Sequence, residues 1–164
     1  MTPGTPWRNH RRGATVIFHI PASLLSGHEA LHAALLRASK EPGDIGVAAA
    51  ELSRLLHPHM LREEALVFPN LGLLRQLGSG VINTEMAQAA KNADTLRADL
   101  AHLAAEHKDI TAALQKLMTA ARESDRTEYA EFAYRMLEHM RVEEEVLYPA
   151  AVVVGDYVRA RLGR

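Results

Sequence analysis

The 164-residue chain contains no cysteine. Disulfides, thiolate zinc sites, iron–sulfur clusters and a catalytic thiol are therefore excluded. It also lacks an excess of charge of one sign. Nineteen basic residues face twenty acidic ones, for a formal net charge of -1, which argues against a dedicated nucleic-acid binder. No segment approaches the ~20 continuous apolar residues of a transmembrane helix, so no membrane partner is expected. Arg11-Arg12 ahead of Gly-Ala-Thr-Val-Ile-Phe faintly suggests a twin-arginine export signal. His19 and Pro21 then break the apolar run, and no small-residue cleavage site follows. The run falls short of the ~7–15 residue hydrophobic region of a signal peptide, and the expected location is cytoplasmic.

What remains is the composition of an ordinary globular chain, 48% apolar and 24% charged, which rules out disorder throughout. The length fits one domain with a short appendage. Histidine is the abundant exception, with nine copies. A chain without thiolates that binds a transition metal must do so with imidazole and carboxylate.

Strand alternation is absent, and alanine and leucine dominate. Residues 1–20 read as an N-terminal arm, with a short extended piece from Thr15 to Ile20. Residues 21–158 read as a helical bundle and 159–164 as a basic tail carrying Arg159, Arg161 and Arg164. Four helices are expected. The first runs from Ala22 to Ser39 and is stopped by Glu41-Pro42-Gly43. The second runs from Asp44 to about Pro69 and should kink or lose a hydrogen bond at Pro58. The third runs from Asn83 or Thr84 to about Arg122. The fourth starts near Asp125, which has capping-box spacing to Glu128, and ends near Pro149 or Ala150.

Each helix has an apolar stripe in steps of three and four, the seam of nearly parallel packed helices. The stripes contain Leu24, His28, Leu31 and Leu35; Ile45, Leu52, Leu56, His59 and Glu63; Leu96, Leu103, His107 and Ile110; and Phe132, Met136, His139, Glu143 and Val146. The fold class is therefore all-α, an up-down-up-down four-helix bundle of two similar helical hairpins.

Six seam residues are not apolar: His28, His59, Glu63, His107, His139 and Glu143. They repeat. His59-x-x-x-Glu63-Glu64 leads to Phe68-Pro69, and His139-x-x-x-Glu143-Glu144 leads to Tyr148-Pro149 at the same spacing. His28 and His107 precede their partners by 31 and 32 residues. A four-residue step turns a side chain by only about 40° and raises it ~6 Å, so each His/Glu pair can converge on one point. Imidazoles and carboxylates in an apolar seam are costly without partners. Mutual hydrogen bonding is one solution. Metal is the other: two carboxylates spanning two ions, with two imidazoles on each, satisfy every group and leave positions open to small molecules. This donor set suits iron, manganese or zinc. For any single residue the hydrogen-bonded reading is the ordinary one; six in a repeated pattern favour metal.

The pattern of His28, His59-Met-Leu-Arg-Glu63-Glu64, His107 and His139-Met-Arg-Val-Glu143-Glu144 resembles the hemerythrin-like proteins, the HHE cation-binding family, from about Pro21 to Ala150. The resemblance implies a non-haem centre of two iron ions bridged by an oxo or hydroxo group, and by Glu63 and Glu143. It places His28 and His59 on one iron and His107 and His139 on the other. The ligand would be oxygen, nitric oxide or a peroxide, bound or sensed; the alternative is an enzyme that reduces oxygen or peroxide or supplies iron. Oxygen carriers of the family have a further histidine where this chain has Leu103. His102 is about 140° away from His107 around the helix and is a poor replacement, whereas His32, one turn after His28, is a candidate fifth nitrogen. Glu64 and Glu144 are candidate partners of the ligand imidazoles.

Competing motifs are weaker. His28-Glu29-Ala30-Leu31-His32 matches the H-E-x-x-H zinc-protease motif, but no strand-rich half or substrate groove accompanies it. The ferritin-like pattern has Glu-x-x-His, the reverse order and a different spacing. His57, His10 and His19 read as surface residues, and Met60, Met136 and Met140 as packing. The sequence allows a homo-oligomer.

Overall fold

The computed structural model describes residues 19–163. Residues 1–18, which hold His10, most of the N-terminal arm and the first four residues of the expected extended piece, and Arg164 lie outside the described residues. The described chain is helical. The main helices are α1 (Ala22–Ala38), α2 (Asp44–Leu66), α5 (Gln88–Glu123), α6 (Thr127–Val142) and α7 (Tyr148–Leu162). Two short helices, α3 (Phe68–Leu71) and α4 (Leu74–Gly78), fill the connection after α2. A 3-10 turn over Thr84–Ala87 leads into α5, and a π turn over Glu143–Leu147 joins α6 to α7. Among the described residues no helix is long and apolar enough to cross a membrane.

α1 packs on α2, α2 on α5, and α5 on both α6 and α7, while α1 also touches α6. The stripes form the core. Leu35, Leu52, Leu56, Ile110, Leu114, Leu117 and Met136 are buried at one end. Val67, Phe68, Leu96, Leu103 and Tyr148 are buried towards the other. Met60, Met136 and Met140 are packing residues of the first group, where an unbranched thioether fills irregular space.

Three boundaries differ from the sequence expectation. α2 runs through Pro58 but breaks at Val67, so Phe68-Pro69 opens the separate turn α3. The capping box at Asp125 does not form. Asp125 takes the left-handed conformation (φ 54°), Arg126 stands at the cap, and the Glu128 carboxylate is held by the Arg126 Nε at 2.7 Å. The last helix does not stop near Ala150: α7 continues to Leu162 and takes in Arg159 and Arg161. Arg159 is tied into the fold, donating to the Ala90 carbonyl and pairing with Asp94.

The π turn explains a fourth difference. Val146, a stripe member by three-and-four counting, is 54% exposed. A π turn inserts a residue into the helical phase, so the buried face beyond it shifts to Tyr148, Ala151, Val154, Gly155 and Val158.

Two residues lock α7 in that phase. Asn70, fully buried, donates from Nδ2 to the carbonyls of Ala89 (3.0 Å) and Ala151 (2.9 Å), and its Oδ1 accepts from Asn92. It clasps α3, α5 and α7 together. Gly155 lies where α7 crosses α5 so closely that a Cβ would overlap the Ala93 methyl and the Ala89 carbonyl. Gly155→Ala should therefore destabilise the protein by about 1–3 kcal/mol, the usual cost of overpacking. Equilibrium urea unfolding measures it; an unchanged midpoint would show that the helices separate freely there.

Candidate metal centre

His28 comes from α1, His59 and Glu63 from α2, His107 from α5, His139 from α6, and Glu143 from the start of the π turn. All six sequence-selected residues meet in the middle of the helices. His28, His59, Glu63, His107 and Glu143 are buried, while His139 keeps 27% of its side chain exposed.

The imidazole Nε2 atoms face inward. The Nε2 atoms of His59 and His107 are 2.8 Å apart. Glu63 reaches two rings, with Oε2 3.5 Å from His28 Nε2 and Oε1 3.7 Å from His59 Nε2. Glu143 reaches three, with Oε1 2.7 Å from His139 and 3.7 Å from His28, and Oε2 3.6 Å from His107. Two sets of converging donor atoms result: His59, Glu63, His107 and Glu143, and His28, His139 and Glu143. The histidines thus pair across the chain order, His59 with His107 and His28 with His139. This differs from the pairing the family resemblance implied.

Outward, three rings are anchored by carboxylates. Nδ1 of His28 is 3.3 Å from Glu64, Nδ1 of His59 is 2.9 Å from Glu106, and Nδ1 of His107 is 2.7 Å from Glu144. An ionised carboxylate can only accept, so each Nδ1 carries the proton and donates. In the neutral ring Nε2 then presents a lone pair to the interior. This is the arrangement by which outer carboxylates orient metal-binding histidines. Glu64 and Glu144 have the spacing that suggested them. Glu106 was not foreseen: it precedes His107 in sequence, but it serves a ring on the neighbouring helix.

Most of the inward atoms are left without partners. His28 Nε2, Glu63 Oε2, His139 Nε2 and both oxygens of Glu143 are buried and make no hydrogen bond. The close approach of His139 to Glu143 lies outside hydrogen-bond geometry, so it satisfies neither. If both rings are neutral with Nδ1 protonated, the facing nitrogens of His59 and His107 are two lone pairs that repel. Such a cluster of buried acceptors is costly in a protein. One or more cations placed among them would satisfy all of it, so the residues fit a metal.

Without metal, protons must do part of that work. Burial opposes a charged His28, but Glu143, Glu64 and Glu63 outweigh it and push its pKa up to about 9. Burial, with His107 nearby, lowers His59 despite Glu106. Burial and the neighbouring Glu143 hold the Glu63 carboxyl well above the carboxylate range. Burial would also raise Glu143, but His139, His28 and His107 hold it down at about 2.

The hemerythrin HHE cation-binding domain matches residues 19–151. The chain belongs to that family. Among curated proteins and among solved structures nothing matches it. In this hemerythrin-type domain the remaining described histidines stand apart from the two donor sets. His32 lies near the His57 ring, 6.1 Å between centroids, and belongs to neither donor set. His102 is 53% exposed and pairs with Glu106; His57 and His19 are exposed. Leu103 is fully buried.

The signs of these shifts set a pH dependence. The raised His28 stabilises the metal-free fold fully below its ordinary pKa of 6.5, and that contribution is lost as pH rises through about 9. Metal binding works in the opposite direction, because it needs deprotonated ligands. The melting temperature of metal-free protein should fall between pH 6.5 and 9, while the increment on metal addition grows. Calorimetry at a series of pH values tests both; a constant increment would disconnect the cluster from metal.

Proposed function

We propose that this chain is a non-haem di-iron protein that binds or senses a small ligand, oxygen, nitric oxide or a peroxide, inside an up-down-up-down four-helix bundle. The observation that carries the reading is the pair of buried carboxylates, Glu63 and Glu143. Each faces imidazoles from more than one helix, and both have unpartnered oxygens. That is what two ions sharing two carboxylates require. Four imidazoles with two carboxylates suit iron, and also manganese or zinc, and fewer than six protein donors on each ion leave room for an external ligand. When bound, the irons supply the redox chemistry. The protein's part is to aim six donors, to fix three rings through Glu64, Glu106 and Glu144, and to limit water. Phe68 against the His28 ring (4.7 Å between centroids) forms an apolar wall. The partly exposed His139 edge is the side from which a small ligand enters.

Protein expressed in iron-replete medium should contain two irons per chain by elemental analysis. Glu143→Ala should lose both, and His28→Ala mainly one. Ligand addition should give a stoichiometric, reversible change in the absorption spectrum. Fewer than one metal per chain in the unmodified protein sinks the proposal. Sustained consumption of oxygen or peroxide with a reductant would move the assignment to an enzyme.

A further inference from the structure

The sequence repeat places an aromatic residue five positions after each centre glutamate: Phe68 after Glu63 and Tyr148 after Glu143. Both are buried, and each sits against a centre histidine. Phe68 lies on His28 with ring centroids 4.7 Å apart, and Tyr148 on His107 at 5.9 Å. At this position the residues of the two halves differ by one hydroxyl. In an α-helix a five-residue step leaves two side chains about 140° apart, so Glu143 and Tyr148 could not share a face. The π turn removes that conflict. The Tyr148 N–H donates to the Glu143 carbonyl, the five-residue bond that returns the chain to nearly the same side. Its cost in helical regularity is spent on turning both side chains inward.

The Tyr148 Oη is 2.6 Å from Glu63 Oε1 and 3.2 Å from His107 Nε2. A phenol has one proton to donate, and the shorter contact receives it. The hydroxyl therefore holds one oxygen of Glu63, while Oε2 stays unpartnered and His107 keeps its inward lone pair.

We propose that Tyr148 is a positioning residue of the metal centre: its hydroxyl donates to Glu63 Oε1, orients that carboxylate towards the metals, and makes the two halves of the repeat inequivalent. This rests on the metal-binding reading above. Tyr148 does not ligate metal itself in this assignment; it acts through Glu63. The repeat supplies its own control, because phenylalanine already packs in the equivalent place in the first half. Tyr148→Phe removes the hydroxyl and keeps the ring.

The test is an anaerobic titration of metal-free protein with ferrous iron against a chromophoric chelator, with circular dichroism and melting of the metal-free forms alongside. Tyr148→Phe should keep the helical spectrum and cooperative melting, and should bind iron about 10–100-fold more weakly, as loss of a ligand-orienting hydrogen bond does. A crystal structure of metal-free Tyr148→Phe should show the Glu63 carboxylate turned from its present position. If the variant binds iron as tightly as the unmodified protein, the positioning role is wrong while the metal site stands. A phenolate-to-iron charge-transfer band in the oxidised unmodified protein would also overturn it, by making Tyr148 a ligand. If the unmodified protein binds no iron, the functional reading fails and this proposal with it. Should Tyr148→Phe misfold, Phe68→Tyr gives the second measurement. A hydroxyl added on the opposite half should leave the affinity set by Tyr148 in place, and a gain that abolishes the difference between the halves would contradict the assignment.

Discussion

Buried acceptors facing one another in an apolar interior repel, and the arrangement at this centre persists only if something positive stands between them. Four imidazole nitrogens and two carboxylates meet here, with most of their inward atoms unsatisfied by protein. Without metal, the protons held on His28 and Glu63 relieve only part of this. Glu64, Glu106 and Glu144 draw the Nδ1 protons of three rings outward, which turns the lone pairs inward. The outer carboxylates thus create the demand that the inner cluster expresses. A core built for stability alone would have placed leucine at these positions, as it does at Leu52, Leu56, Leu114 and Leu117 in the same seams.

Keeping that repulsive point intact requires helices that do not slip. The end near Leu35 and Leu114 is aliphatic packing, rigid because interiors are filled close to crystal density. At the other end the fixing is more specific. From α3, Asn70 finds its partners on α5 and α7 at once, and Gly155 lets α7 approach α5 without a side chain between them. Both act on α7, the helix that carries Tyr148. The stability of that end and the geometry of Glu63 are therefore linked through one helix phase.

The repeat makes the two hairpins alike, but the folded halves are not equivalent. The first half breaks its helix at Val67 and presents Phe68. The second keeps its helix through a π turn and presents Tyr148. Exposure differs as well, since His139 reaches solvent while His59 is sealed. One open edge and one added hydroxyl thus give the two donor sets unlike surroundings.

Most of the centre was legible along the chain because helical periodicity is local: His59 with Glu63, and His139 with Glu143, are one turn apart whatever else the protein does. The stripes in α1, α2 and α5, and all six centre residues, follow from counting threes and fours. Counting failed where the helix itself changed pitch. Val146 left the core and Tyr148 entered it because a π turn cannot be told from an α turn by residue spacing. The capping signal at Asp125 failed because Arg126 claimed Glu128, and Glu106 went unnoticed because its imidazole partner sits on another helix. Which rings stand opposite each other, which carboxylate holds which Nδ1, and which edge opens to solvent were decided by how the helices pack, since those distances join residues far apart in sequence. Residue types and their periods determined that imidazoles and carboxylates would gather; only the packed helices decided how they face one another.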